Sequence, residues 1–432
     1  MDRWLVGVAA LMLASACGGS TSGADDAERE ASAVSGEGSP TQRETGTAPE
    51  PAAPTGPRHC AAATITTQSA LNELDGCDTI DGDLSIRLRD ADLLPLHALR
   101  RVEGDLKVLS PDLTTTVDSL AGLEQLEYIG GAAWFERLGI TTLAPLSRLR
   151  HARELHLNRL PNLVQLEGLS QLELQGGVFE LSEVPVLQSL APLVFPAHLQ
   201  DLLVSEAPSL SDPGDVSRLE SVVHLQLMGT ALTTLQGLEN LREVAESVEL
   251  ARNPLLEDVS ALAQLRSSPF FTFNDNPRLR ELPVFSALEK AYWISIERNA
   301  ALESAGSYPK LTVVSDLRVR DNPALGSLVG FNNLQLSYLI RIQSNASLGH
   351  IEFPQLTEVG SSLVVTSNPV LDANTASQFA TVHTPLLKIT GNQSPPLLLD
   401  PCPWTNDSIC DEAPQDMLCA PGTDTADCPR PV

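Results

Sequence analysis

Side chains able to do chemistry are unevenly placed along this 432-residue chain. Seven cysteines stand at positions 17, 60, 77, 402, 410, 419 and 428, so both ends are cysteine-marked and the long interval from Cys77 to Cys402 has none. That distribution points to an exported protein in an oxidising compartment, with its ends stapled by disulfides. The eight histidines (His59, His97, His151, His156, His198, His224, His350 and His383) are scattered, and none stands at ligand or triad spacing from a cysteine, serine or carboxylate. No H-E-x-x-H, phosphate-binding loop, G-x-S-x-G or dinucleotide-binding glycine run appears. The expectation is a protein that is not an enzyme and holds no organic cofactor.

Two other groups could bind rather than react. Arg318, Arg320 and Arg341 form a basic cluster suited to a carboxylate or sulfated polymer, and Trp293 beside Tyr292 could offer a stacking surface. Against these stand a solvated network of the arginines with Glu297, Asp316 and Asp321, and simple edge packing of Trp293. The whole chain carries 28 Lys+Arg against 55 Asp+Glu, a net charge of -27, which argues against nucleic acid or an anionic membrane surface as the main partner.

Asparagines recur at Asn253, Asn276, Asn299, Asn322, Asn345 and Asn368, every step being 23 residues, and each is followed three places later by leucine. Paired apolar residues stand five and three places before each Asn, as in Val248/Leu250, Ile294/Ile296 and Leu363/Val365. The first of each pair can be followed from Leu84, Leu106, Ala133, Leu155, Phe179, Leu202 and Leu225 through this series to Leu387, about fourteen turns in all. One short alternating strand per unit at this period marks a solenoid. A single unit buries too little apolar surface to offset the entropy of ordering it, so neighbours must stack and pair their strands at roughly 4.8 Å. The spacing predicts a mainly β (β-rich α/β) solenoid with parallel sheets over residues 59–400. An aromatic content of 4% fits a thin interior of Leu, Val and Ile ladders. The Asn column, with Pro254, Pro277, Pro323 and Pro369 directly after it, is expected to be structural, each amide satisfying turn backbone groups of its own and the next coil.

Outside the repeats, residues 1–16 have the charged start, short apolar run and small-residue end of a signal peptide. Ala14-Ser15-Ala16-Cys17 resembles a bacterial lipobox, which implies acylation of Cys17; the same residues also make an ordinary signal-peptidase site. A lipidated Cys17 leaves an even number of cysteines. Residues 17–58 lack large apolar side chains and are expected to be a disordered tether.

The pattern L-x-L-x-x-N-x-x-L resembles the leucine-rich repeat with one residue inserted. Cys60 with Cys77-Asp78-Thr79-Ile80-Asp81-Gly82-Asp83-Leu84-Ser85-Ile86 is similar to the start of a receptor L-domain, and Val102-Glu103-Gly104-Asp105-Leu106 and Ile129-Gly130-Gly131 repeat its second feature. That resemblance implies a right-handed β-helix with one strand per turn, an N-terminal helical cap, and a Cys60–Cys77 bond pinning the cap to the first coil.

Residues 401–432 hold Cys402, Cys410, Cys419 and Cys428 in a stretch too short for a core, so two disulfides are expected, with three pairings open. The segment looks like small Notch-repeat modules, which implies a calcium site at Asp407, Asp411, Glu412, Asp424 and Asp427; solvated acidic loops on a disulfide knot are the other reading. Paired cysteines leave no thiolates for zinc.

Between the inward residues of each strand lies one outward residue, giving an exposed row from Ser85, Lys107, Trp134, His156 and Glu180 through Arg318 and Arg341 to Val364 and Lys388. The resulting expectation is a monomeric cell-surface or envelope lipoprotein that touches the membrane only through its anchor and recognises protein or envelope polysaccharide through this row. A ligand-free envelope spacer and a carbohydrate-active β-helix enzyme are the alternatives, as is soluble secretion for its location.

Overall fold

A computed structural model describes residues 57–111, 117–372, 378–379 and 381–392. Cys17, the tether up to residue 56, and the C-terminal module with Cys402, Cys410, Cys419, Cys428 and its carboxylates lie outside the described residues.

The repeat forms the parallel solenoid that its period predicts. One strand per coil runs from Thr79–Arg87 through Leu106–Leu109, Ala132–Glu136, Glu154–Asn158 and Val178–Ser182 to Glu358–Thr366 and Leu387–Thr390, and every pairing among the described residues is parallel. In the first coils a two-residue strand precedes the main one, as at Arg101–Val102, Tyr128–Ile129, His151–Ala152 and Glu173–Leu174, and these pair among themselves. Further along, the two pieces fuse into strands such as Lys290–Glu297 and Val313–Arg320. The inward residues read from the sequence, Leu84 to Leu387, are in register and buried.

The N-terminal end is capped by a strand, His59–Ile65, parallel to Thr79–Arg87, followed by a five-residue helix, Gln68–Asn72, whose first turn is capped by Thr67 Oγ1 accepting from the Ala70 N–H. Cys60 and Cys77 are bonded. The cap is therefore more strand than helix. The Gly-Asp pairs of this region have a mechanical reason: Asp83 Oδ1 accepts from the Asp105 N–H at 2.8 Å and Asp105 Oδ1 from the Ala132 N–H at 2.9 Å. A Cβ at Gly104 or Gly131 would lie 2.0 or 2.1 Å from those carboxylate oxygens.

From Ala132–Glu136 to Glu358–Thr366 the main strands end on a left-handed residue, which is Gly229 in one coil and the non-glycine residues Arg137, Arg159, Glu183, Glu206, Arg252, Asp275, Arg298, Asp321, Ser344 and Ser367 in the others. The conformation is unfavourable for such residues, and the next coil holds it: Asp275 and Arg298 N–H groups donate to the Glu297 and Arg320 carbonyls at 2.9 and 3.0 Å. Asp275 and Arg298 also pair through two bonds, of 2.7 and 2.8 Å. This fork of donors holds the Asp275 carboxyl below its usual range, against a smaller opposing effect of burial.

The next residue is the asparagine. Each Oδ1 accepts from the backbone N–H of the preceding asparagine, at 3.0 Å for Asn276 to Asn299 and Asn299 to Asn322, and each Nδ2 donates to a strand carbonyl of the preceding coil, as Asn299 does to Phe273 at 2.7 Å. The column begins at Thr230, which donates to Asn253, and runs on to Asn392. Earlier coils carry Leu138, Leu160, Val184 and Ala207 at this position, all buried, so the solenoid changes from an aliphatic to an amide column part-way along.

The interior is not purely aliphatic. Phe285, Tyr308, Phe331, Phe353 and Phe379 form a column of rings through consecutive coils, with centroids 5.2, 4.6, 5.8 and 6.4 Å apart. Few aromatics are present, but nearly all the phenylalanines are inside. Tyr308 is fully buried, its hydroxyl has no hydrogen-bond partner among the described residues, and burial pushes its pKa up. Tyr308→Phe is expected to raise the unfolding free energy by about 1 kcal/mol in urea denaturation, because it removes an unpaired buried hydroxyl while keeping the ring.

Candidate functional site

The outward residues form the row that the alternation of each strand predicts. Ser85, Lys107, Trp134, His156 and Glu180 are consecutive register partners, and the line continues without a break through Ser295, Arg318 and Arg341 to Val364 and Lys388. It is less open than a simple alternation implies. Packing side by side leaves Ser85, His156 and Ser295 buried at 8%, 4% and 2% exposure.

In the C-terminal half, Arg318 lies over the Trp293 indole, its guanidinium carbon 4.0 Å from the ring centroid, and grips Asp316 through two bonds of 2.9 and 2.8 Å. Arg320 reaches Glu297 only at 4.0 Å, and its buried Nε has no partner among the described residues. Glu297 is already engaged by Arg298 at 3.1 Å and Ser295 at 3.2 Å. Arg341, beside Arg318 on the next coil, has no ion pair among the described residues, and Asp321 pairs with none of the three arginines there. The solvated network is thus real for Arg318, marginal for Arg320 and lacking for Arg341. Trp293 packs by its face under a cation, beside Tyr292, whose ring centroid lies 6.4 Å from that of Phe270.

The N-terminal half holds a grouping that the linear spacing of the histidines did not reveal. His156 stacks on Trp134 with ring centroids 3.5 Å apart and 5° between planes. Its Nδ1 lies 2.8 Å from Glu180 and its Nε2 3.3 Å from Glu154, while Lys107 stands 6.0 Å from the far side of the indole. A second line repeats the order: Arg101 over Tyr128 at 4.0 Å, Tyr128 stacked on His151 at 4.4 Å, then Glu173. Hydroxyl, cation, ring, imidazole and carboxylate thus follow one another twice, as Thr79, Arg101, Tyr128, His151, Glu173 and as Ser85, Lys107, Trp134, His156, Glu180. The signal was in the sequence at the repeat period: residues one coil apart are neighbours, so His156 and Glu180 touch although 24 positions separate them.

The hydrogen bond from His156 lowers the Glu180 pKa from its ordinary 4.5, outweighing burial, with the His156 charge and an Asn158 bond adding to the effect. A carboxyl depressed by folding stabilises the fold above its ordinary pKa and loses that contribution as pH falls through the depressed value. Glu180→Gln is therefore expected to flatten the acid side of a melting-temperature profile below about pH 4.5, leaving the neutral region little changed.

Among the described residues no three or more His, Cys, Asp or Glu are grouped to hold a metal, and no helix is long and apolar enough to cross a membrane. A shallow depression of 360 Å³ at His350, Glu352 and Phe353 lies off the exposed row.

No protein-family model matches the sequence, and no curated protein is similar to it. Solved structures similar to it include an internalin, InlF, from Listeria monocytogenes, with 14% identity, a TM-score of 0.34, and coverage of 68% of this chain and 85% of that one. The functional domain of InlJ from Listeria monocytogenes is another, with 15% identity, a TM-score of 0.28, and coverage of 73% and 78%.

Proposed function

We propose that this protein is a non-catalytic recognition or adhesion protein of the cell envelope, held by a lipid on Cys17 and presenting its solenoid on the 17–58 tether to a protein or envelope polysaccharide. The observation that carries this reading is the exposed sheet face. It runs in register along the solenoid, and on it guanidinium and aromatic groups gather at Trp293, Arg318, Arg320 and Arg341 with fewer carboxylates than they can pair with. Arginine and aromatic side chains on a rigid surface are what binding interfaces concentrate. The His156 cluster favours positioning over proton transfer, since both ring nitrogens face carboxylates and the ring is buried against Trp134.

Charge reversal tests this directly. Arg318→Glu with Arg341→Glu in the full chain is expected to lower capture of an envelope component by about tenfold or more, with an unchanged circular dichroism spectrum. Undiminished capture of every component would favour a structural spacer. Release of reducing or unsaturated sugars from envelope polysaccharide would contradict the non-enzymatic reading.

A further inference from the structure

Next to the arginines lies an aromatic edge whose spacing has a chemical meaning. Ala291 pairs with Val314 and Trp293 with Asp316, which sets Tyr292 opposite Ser315; Val314 pairs with Ser337 and Asp316 with Leu339, which sets Ser315 opposite Tyr338. Tyr292 and Tyr338 therefore stand on alternate coils with a small residue between them, and both are open, at 40% and 51% exposure. On the next coil Gly360 keeps the space beside Tyr338 clear, since a Cβ there would lie 3.3 Å from the ring. The cations keep a different rhythm: Arg318 and Arg341 are direct register partners on consecutive coils, with Arg320 two residues along the strand from Arg318.

One coil advances roughly 4.8 Å, about the length of one pyranose in an extended chain, and in a twofold extended chain every second sugar turns the same face to the same side. Rings on alternate coils thus match alternate sugar faces, and the carboxylates that turn to the same side at that interval come within reach of the long arginine side chains beside them. The guanidinium fork suits carboxylate oxygens. Asp316 is taken up by Arg318, the Arg320 guanidinium reaches Glu297 only at 4.0 Å, and Arg341 has no ion pair among the described residues. The donors left over call for an anion from outside, on a chain otherwise strongly acidic.

We propose that the face formed by Tyr292, Trp293, Tyr338, Arg318, Arg320 and Arg341 binds an extended acidic polysaccharide along the solenoid axis, its carboxylates on the guanidiniums and its alternate sugar faces on the tyrosines. This rests on the recognition role proposed above and names its ligand class. The test is titration of the full chain with mannuronate-rich alginate, with neutral dextran and dextran sulfate as comparisons. Alginate binds saturably and more weakly as salt rises, dextran sulfate binds less well, and dextran does not bind. Arg341→Glu and Tyr338→Ala each lower alginate affinity about tenfold or more, with unchanged melting temperature. Absence of alginate binding, or binding that neither substitution weakens, overturns the assignment. If the chain then still captures an envelope protein in an Arg341-dependent way, recognition stands and only the polysaccharide falls; if it captures nothing, both fall.

Discussion

Asn299→Ala is expected to lower the unfolding free energy by about 2–5 kcal/mol, because it orphans two buried backbone groups at about 1–3 kcal/mol each. The Asn276 N–H loses the oxygen it donates to at 3.0 Å, and the Phe273 carbonyl loses the amide that reaches it at 2.7 Å. Asn299 is completely buried, so water does not replace either partner. Asn299→Asp separates the two contributions: it keeps the acceptor for Asn276 but sets a carboxylate against the Phe273 carbonyl, and is expected to be at least as harmful. The same change at Asn392, the last of the column among the described residues and only partly buried, is expected to cost less. Urea denaturation of the full chain followed by circular dichroism reads all three. A loss below about 1 kcal/mol for Asn299→Ala would mean that the ladder does not hold the turns.

Phe331→Ala is expected to cost about 3–5 kcal/mol. Phe331 is fully buried and lies between Tyr308 at 4.6 Å and Phe353 at 5.8 Å, so its removal leaves a hole in the middle of the ring column that neighbouring coils, fixed by their strand pairing, cannot close. Because each repeat leans only on its neighbours, the loss is expected to appear as earlier unfolding of the C-terminal coils, with amide exchange rising around residues 285–353 before it rises around residues 84–180. Uniform loss of protection along the chain would contradict this division.

Much of the fold was legible because a solenoid repeats its instructions. The Asn column and the apolar pairs gave the period, and from the period came the strand register, the inward ladder and the exposed row, all of which the structure carries. The aromatic column was equally present, at Phe285, Tyr308 and Phe331 in steps of 23, but a low aromatic total hides a concentration in one line. The left-handed turn residues could not be read, since Arg, Glu, Asp and Ser give no sign of positive φ; their conformation is imposed by the coil that follows. The candidate site divides in the same way. Arg318 beside Arg341 follows from the period alone. The placement of Arg318 over Trp293, the capture of Asp316 and the lack of an ion pair at Arg341 among the described residues depend on rotamers that three neighbouring strands decide together. The exposed row set Trp134, His156 and Glu180 side by side, but their contact was not read as a site, because ligand and triad spacings assume a chain that turns back within a few residues, whereas here neighbours lie a whole coil apart.

That the exposed sheet is a recognition surface is tested most directly by hydroxyl-radical footprinting of the full chain, alone and bound to envelope material. Tyr292, Trp293 and Tyr338 are predicted to lose reactivity on binding, while Val164, at 53% exposure away from this patch, keeps its own. Unchanged reactivity at the three aromatic residues, or equal protection of Val164, would contradict it.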